Sequence, residues 1–121
     1  MGKKYRIQPK IQPVHGSETD YTLLKNFMYY IDHRWICVPK GFTFNGASIP
    51  RTLWTFVGHP FSPQFVEAAL VHDHMIEDKR YPRKKIDGKF HELLVVNEVN
   101  KSKAYWMHKG VRCYSIIKRR K

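Results

Sequence analysis

His72 stands seven residues after Phe65 and four before Ile76, so at about 100° per residue it shares one side of a helix with both apolar neighbours. Asp87 stands three residues before Phe90 and seven before Leu94, which by the same geometry puts a carboxylate on the inward side of the following helix. An unpaired charge is costly to bury. Each group therefore needs a partner, and the most economical partner for each is the other. This requirement limits the fold strongly, because the helices carrying His72 and Asp87 must face one another.

The rest of the chain divides near residue 48. Ahead of it, Tyr5 to Ile11 alternates in polarity, Tyr21 to Ile31 is rich in aromatic and β-branched residues, and Trp35-Ile36-Cys37-Val38 is an apolar run closed by Pro39. These features predict three or four antiparallel strands, with turns at Gly16-Ser17 and Asp32-His33. Behind it come helix starts. Ser48-Ile49-Pro50 predicts a short helix through Trp54 and Val57 to about Gly58, because serine caps and an early proline favour that end. Ser62-Pro63 predicts a second, reaching about Glu77, with Phe65, Val66, Ala69, Leu70 and Ile76 on its apolar side. A third is expected over Ile86 to Glu98 with Phe90, Leu93 and Leu94 inward, and a fourth over Lys103 to Ile117 with a stripe of Ala104, Met107, Val111 and Tyr114. The expected class is α+β, with N-terminal antiparallel strands followed by three or four helices. With 121 residues the expectation is a single domain, 1–121, whose basic end, 118–121, frays.

Charge bears on partners. Twenty-two basic less ten acidic residues leave +12, which favours phosphates, nucleic acid, anionic lipid or an acidic protein as neighbours. The basic clusters are Arg83-Lys84-Lys85 and Lys118-Arg119-Arg120-Lys121. Tyr105 and Trp106 at helical spacing are read as core residues rather than as platforms for bases. No segment approaches the roughly 18 apolar residues of a membrane-spanning helix, and no secretory signal is read, so a cytoplasmic location is expected. Cys37 and Cys113 are expected as reduced, buried thiols.

Two chemistries suit the His72 and Asp87 arrangement. A carboxylate bonded to one imidazole nitrogen fixes the tautomer and raises the basicity of the other, which makes His72 a candidate general base with Asp87 orienting it. Asp73, about 100° round the helix, is then placed to hold a cation. Asp87-x-x-x-His91 adds a second possibility, chelation of a transition metal by Asp87, His91 and His72. The alternative is a buried clamp between two helices. The segment Gly41-Phe42-Thr43-Phe44-Asn45-Gly46-Ala47-Ser48-Ile49-Pro50-Arg51 is read either as a turn built for backbone geometry or as an ion site. In the latter, the Asn45 side chain, loop carbonyls and the amides of the helix start near Ser48 and Arg51 are the ligands.

G-F-T-F-N-G-A-S-I-P-R, followed by A-A-L-V-H-D-H and then I-D-G-K-F, resembles a phage and prophage family of uncharacterised small proteins. The match runs from about Val38 to Leu94. Asn45 replaces the family's usual aspartate, and His74-Met75-Ile76 replaces its usual aromatic. The resemblance implies a phage-encoded protein in the host cytoplasm or incorporated into the virion, with other phage structural proteins or host-envelope components as partners. A looser, site-level similarity links His72, Asp73 and Asp87 to small phospholipases A2, which implies calcium as a divalent cofactor. Three functions are thus expected as competitors: a non-enzymatic tail or assembly component, a His-Asp hydrolase acting on an envelope lipid or ester, and a protein that binds nucleic acid or a host factor.

Overall fold

The computed structural model describes residues 8–17, 20–45, 49, 53 and 64–119. Five short strands, β1 (Ile11–Pro13), β2 (Tyr21–Leu23), β3 (Phe27–Ile31), β4 (Arg34–Val38) and β5 (Thr43–Phe44), precede three helices, α1 (Val66–Asp78), α2 (Arg83–Val96) and α3 (Lys101–Arg119). The protein is α+β, with antiparallel strands first and helices after. The short helix expected over Ser48 to Gly58, the Ser62-Pro63 start and the strand residues before Gln8 lie outside the described residues.

The strands form two sheets, a three-stranded one in the order β1-β2-β5 and the hairpin β3-β4. Within the strand-rich segment Tyr21 to Ile31 the chain breaks at Leu24–Asn26 and changes sheet. The break is held from both sides, since the Leu24 amide donates to the Lys10 carbonyl at 2.7 Å and Asn26 Oδ1 accepts the Lys40 amide at 2.7 Å. In the hairpin Phe27, Tyr29, Ile31, Ile36 and Val38 turn inward, while Met28, Tyr30, Trp35 and Cys37 turn outward. Cys37 is therefore exposed rather than buried, and Cys113 is exposed too, both as free thiols. The hairpin turns through Asp32 and His33, whose φ values of 51° and 63° are left-handed, as a two-residue primed turn requires.

Two helix starts have a local cause. α2 begins at Arg83, three residues before the predicted start, because extended Pro82 supplies the N-terminal boundary. Its first turn is Arg83-Lys84-Lys85, which opposes the helix dipole and so hides the start from a sequence reading. α3 begins at Lys101 because Asn100 Oδ1 accepts the amides of Ser102 and Lys103 at 2.9 and 3.3 Å. Lys118 and Arg119 continue its backbone, so the last two basic residues alone lie beyond the described helix. The core joins the inner strand face to α1, α2 and α3 through Leu23, Val38, Leu70, Phe90, Leu94, Met107 and Val111. On α3, Ser115 takes the inward place predicted for Tyr114.

His33→Gly should raise stability by about 1 kcal/mol in urea denaturation, because glycine removes the cost of the left-handed backbone. An unchanged or lower midpoint would contradict the assigned turn.

Candidate functional site

α1 and α2 pack side by side, and α2 packs in turn on α3. His72 on α1 and Asp87 on α2 meet with His72 Nε2 at 2.6 Å from Asp87 Oδ1, and both side chains are 0% exposed. The second carboxylate oxygen is directed to α3, accepting from Arg112 Nη1 at 2.9 Å and Ser115 Oγ at 3.3 Å. One turn back on α2, Arg83 Nε lies 3.7 Å from Asp87 Oδ1. A single buried carboxylate thus binds side chains from all three helices. Phe90 closes one side, with its ring centroid 5.0 Å from that of His72.

Burial alone would push the Asp87 carboxyl up, yet the His72 hydrogen bond and charge, the Arg112 hydrogen bond and the Arg83 charge carry it below the usual carboxylate range. Asp87 is therefore ionised near neutral pH. An ionised carboxylate only accepts, so Nε2 is the nitrogen of His72 that carries the proton in this contact.

Asp73 points elsewhere. Its Oδ2 accepts the Asn45 amide at 3.3 Å, and both residues line a cleft of about 360 Å³ with Arg83, Tyr114, Phe44 and Glu77 among its walls. Neither His72 nor Asp87 lines that cleft. The residues predicted for metal and for base are thus divided into two neighbouring groups. Arg83 belongs to both.

Calcium takes 6–8 oxygen ligands, and the contact shown between Asn45 and Asp73 is an N–H donor bonded to a carboxylate. Among the described residues no group of three or more His, Cys, Asp or Glu side chains is placed to hold a metal ion. His91 does not join Asp87 and His72 in a chelate either; its ring lies against His108 of α3, with centroids 5.0 Å apart. Burial, then the charge of His91, push the His108 imidazole down. Ser48 and Arg51 lie outside the described residues.

Sequence reasoning missed Arg83, Arg112 and Ser115. Arg83 was legible as an (i, i+4) partner of Asp87 on one helix, but the helix was expected to start only at Ile86. Arg112 and Ser115 are three apart, hence on one face, although nothing in the sequence alone aims that face at Asp87. A second buried acid, Glu67 on α1, accepts from Asn97 Nδ2 at 3.1 Å. The larger groove, about 560 Å³, runs between the hairpin and α2, where Lys85 pairs with Asp32 at 2.7 Å and Lys89 with Glu92 at 3.1 Å.

Asp87→Ala should cost about 3–5 kcal/mol in chemical denaturation, because it strands His72 and Arg112 beside a buried hole. Acid unfolding should show two steps. His108 holds its proton less tightly folded than unfolded, so the unfolded chain binds more protons and stability falls as pH drops through about 6.5. The depressed Asp87 carboxyl has the same sign at lower pH: its stabilisation is present above the unfolded carboxyl range and is lost as pH falls through the lower folded value. His74, also pushed down by burial, shares the first step, so His108→Gln should shrink that step and Asp87→Asn should flatten the second, and an acid limb unaltered by either change would refute the assignment.

Residues 21–111 match the family described as Protein of unknown function (DUF1353). An uncharacterised protein, y4jT, from Sinorhizobium fredii (strain NBRC 101917 / NGR234) is 34% identical over 77 residues, covering 64% of this chain and 23% of the relative. The chain thus spans less than a quarter of that relative's length. No solved structure matches it.

Proposed function

The chain belongs to the DUF1353 family of proteins of unknown function, and from that premise we propose that it is a non-enzymatic phage virion or assembly component whose His-Asp pair holds the helices together. The observation that carries this reading is the closure of the pair. A general base must come within about 2.6–3.2 Å of the proton it removes, whereas His72 and Asp87 are both 0% exposed. Asp87 is also committed, through its two oxygens, to His72, Arg112 and Ser115. These bonds fit a clamp, since a buried carboxylate is tolerated when its lone pairs are filled.

The phage assignment draws on the G-F-T-F-N-G-A-S-I-P-R segment followed by H-D and a downstream aspartate. On this reading the protein acts in the host cytoplasm during assembly, with other phage structural proteins as partners. A tail component is the specific form proposed.

One observation favours a second reading, a small hydrolase acting on an envelope lipid or ester. The cleft beside the pair is walled by Asp73 and Arg83, and Arg83 also approaches Asp87. In that reading a shift of Arg83 opens the pair to the cleft, with His72 as base and Asp73 polarising the substrate.

Virions prepared from an infection with an epitope-tagged copy should carry the chain at a fixed ratio to the other structural proteins. His72→Asn should lower the melting temperature markedly. Ester or phospholipid turnover by the purified wild type, abolished in a His72→Asn variant that keeps its melting temperature, would replace the clamp reading with the enzymatic one. Absence of the chain from purified particles would overturn the virion role.

A further inference from the structure

Residues 101–121 contain eight basic residues, Lys101, Lys103, Lys109, Arg112, Lys118, Arg119, Arg120 and Lys121, and no acidic residue. Eight less none leaves +8 in this segment, two thirds of the net charge of the whole chain. α3 spans nearly all of it. Its inward face is Ala104, Met107, Val111 and Ser115, all buried. At about 100° per residue the opposite side presents Tyr105, Trp106, Lys109, Cys113, Ile116 and Ile117 together. This side is open. Trp106 is 57% and Ile117 65% exposed, with Tyr105 and Ile116 also exposed. The Tyr105 and Trp106 rings meet edge to face at 5.1 Å, and the Lys109 ammonium sits 5.6 Å from the Tyr105 centroid.

A stripe of two aromatic and two aliphatic side chains, flanked by Lys101, Lys103 and Lys109 on a segment with no carboxylate, has one chemistry. Its apolar side chains gain by leaving water, and its lysines gain by approaching fixed negative charge. We propose that the outward face of α3 docks on an anionic lipid surface, with Trp106, Tyr105, Ile116 and Ile117 entering the headgroup region and the surrounding basic residues lying over acidic headgroups. Trp and Tyr favour that boundary because each ring has an apolar body and a polar edge. Long lysine stems reach past apolar neighbours to keep the ammonium at the headgroups.

Two other occupants fit less of the surface. Nucleic acid would use the charge and stack on Tyr105 or Trp106, but it gives Ile116 and Ile117 nothing to bury against. A second copy of the face would cover the isoleucines, but it would bring two acid-free basic helices together across a two-fold axis. No described helix is long and apolar enough to cross a membrane, so the attachment is interfacial. It uses the side of α3 away from the Met107 and Val111 contacts and does not rest on the role of the His72 and Asp87 pair.

The test is flotation of the full chain with vesicles of phosphatidylcholine alone and of phosphatidylcholine mixed with phosphatidylserine. The expected result is co-flotation with the mixed vesicles, none with the neutral ones, and release as salt shortens the screening length. Trp106→Ser combined with Ile117→Ser should weaken binding by roughly tenfold or more, since two buried apolar side chains are withdrawn. Lys101, Lys103 and Lys109 changed together to Gln should weaken it by roughly a hundredfold, about fivefold per charge. All five positions lie off the buried face, so the melting temperature of each variant should match the wild type and separate lost binding from lost folding. Absence of flotation, equal flotation with neutral vesicles, or full binding by the Trp106/Ile117 variant would overturn the proposal. So would tight oligonucleotide binding that the Trp106/Ile117 variant retains, or a dimer in sedimentation equilibrium that this variant dissociates.

Discussion

A carboxylate buried in a helical core has to be surrounded by donors, and in this protein the donors come from each of the three described helices. Asp87 takes one bond from His72 on α1 and two from Arg112 and Ser115 on α3, with Arg83 of its own helix close by. The desolvation of a carboxylate costs several kcal/mol unless such bonds are made. Relative rotation or sliding of the helices would therefore leave a buried charge short of partners. Apolar packing of Leu70, Phe90, Leu94, Met107 and Val111 brings the helices together. It is less selective about register, because apolar contacts are not directional. The carboxylate supplies the direction.

The meeting of His72 and Asp87 was legible because helical periodicity places both on apolar faces, and a buried pair of ionisable groups has few other solutions. The third helix of the arrangement was not legible. Arg112 sits half-way between the faces of α3, and an arginine in a basic helix reads as solvated until the packing of α3 on α2 is known. The same limit explains Tyr105 and Trp106. Their helical spacing predicts burial, but spacing fixes only which residues share a side and leaves open which side faces in. Small Ala104 and Ser115, with Met107 and Val111, allow the close approach of α3, and the rings turn outward. The strand region behaves alike. Composition predicts strands over Tyr21 to Ile31, but the exchange of sheet at Leu24–Asn26 is set by the bonds of Leu24 to Lys10 and Asn26 to Lys40, which the local sequence does not reveal.

Asp73 shows that neighbours in a motif need not share one environment. Adjacent to His72 in sequence, it projects about 100° away, to a cleft where the Asn45 amide meets it. The pattern H-D therefore spans two environments, one dry and saturated and the other open. A hydrolase with this motif needs both in one space. Here Arg83 lies between them, contributing charge to Asp87 and a wall to the cleft.

The distribution of charge follows from the same division. Acidic groups are few, and the structure uses two of them internally: Asp87 at the helix junction and Glu67 against Asn97. A carboxylate used to join helices is withdrawn from the surface. The outer side of α3 is left with lysines and no compensating acid, beside aromatic and aliphatic side chains that the core did not take. The inward side of α3 completes the buried carboxylate and its outward side carries the unneutralised surface. Substitutions on one side should thus leave the function of the other intact, because residues more than about 7–10 Å apart with no shared partner act nearly additively.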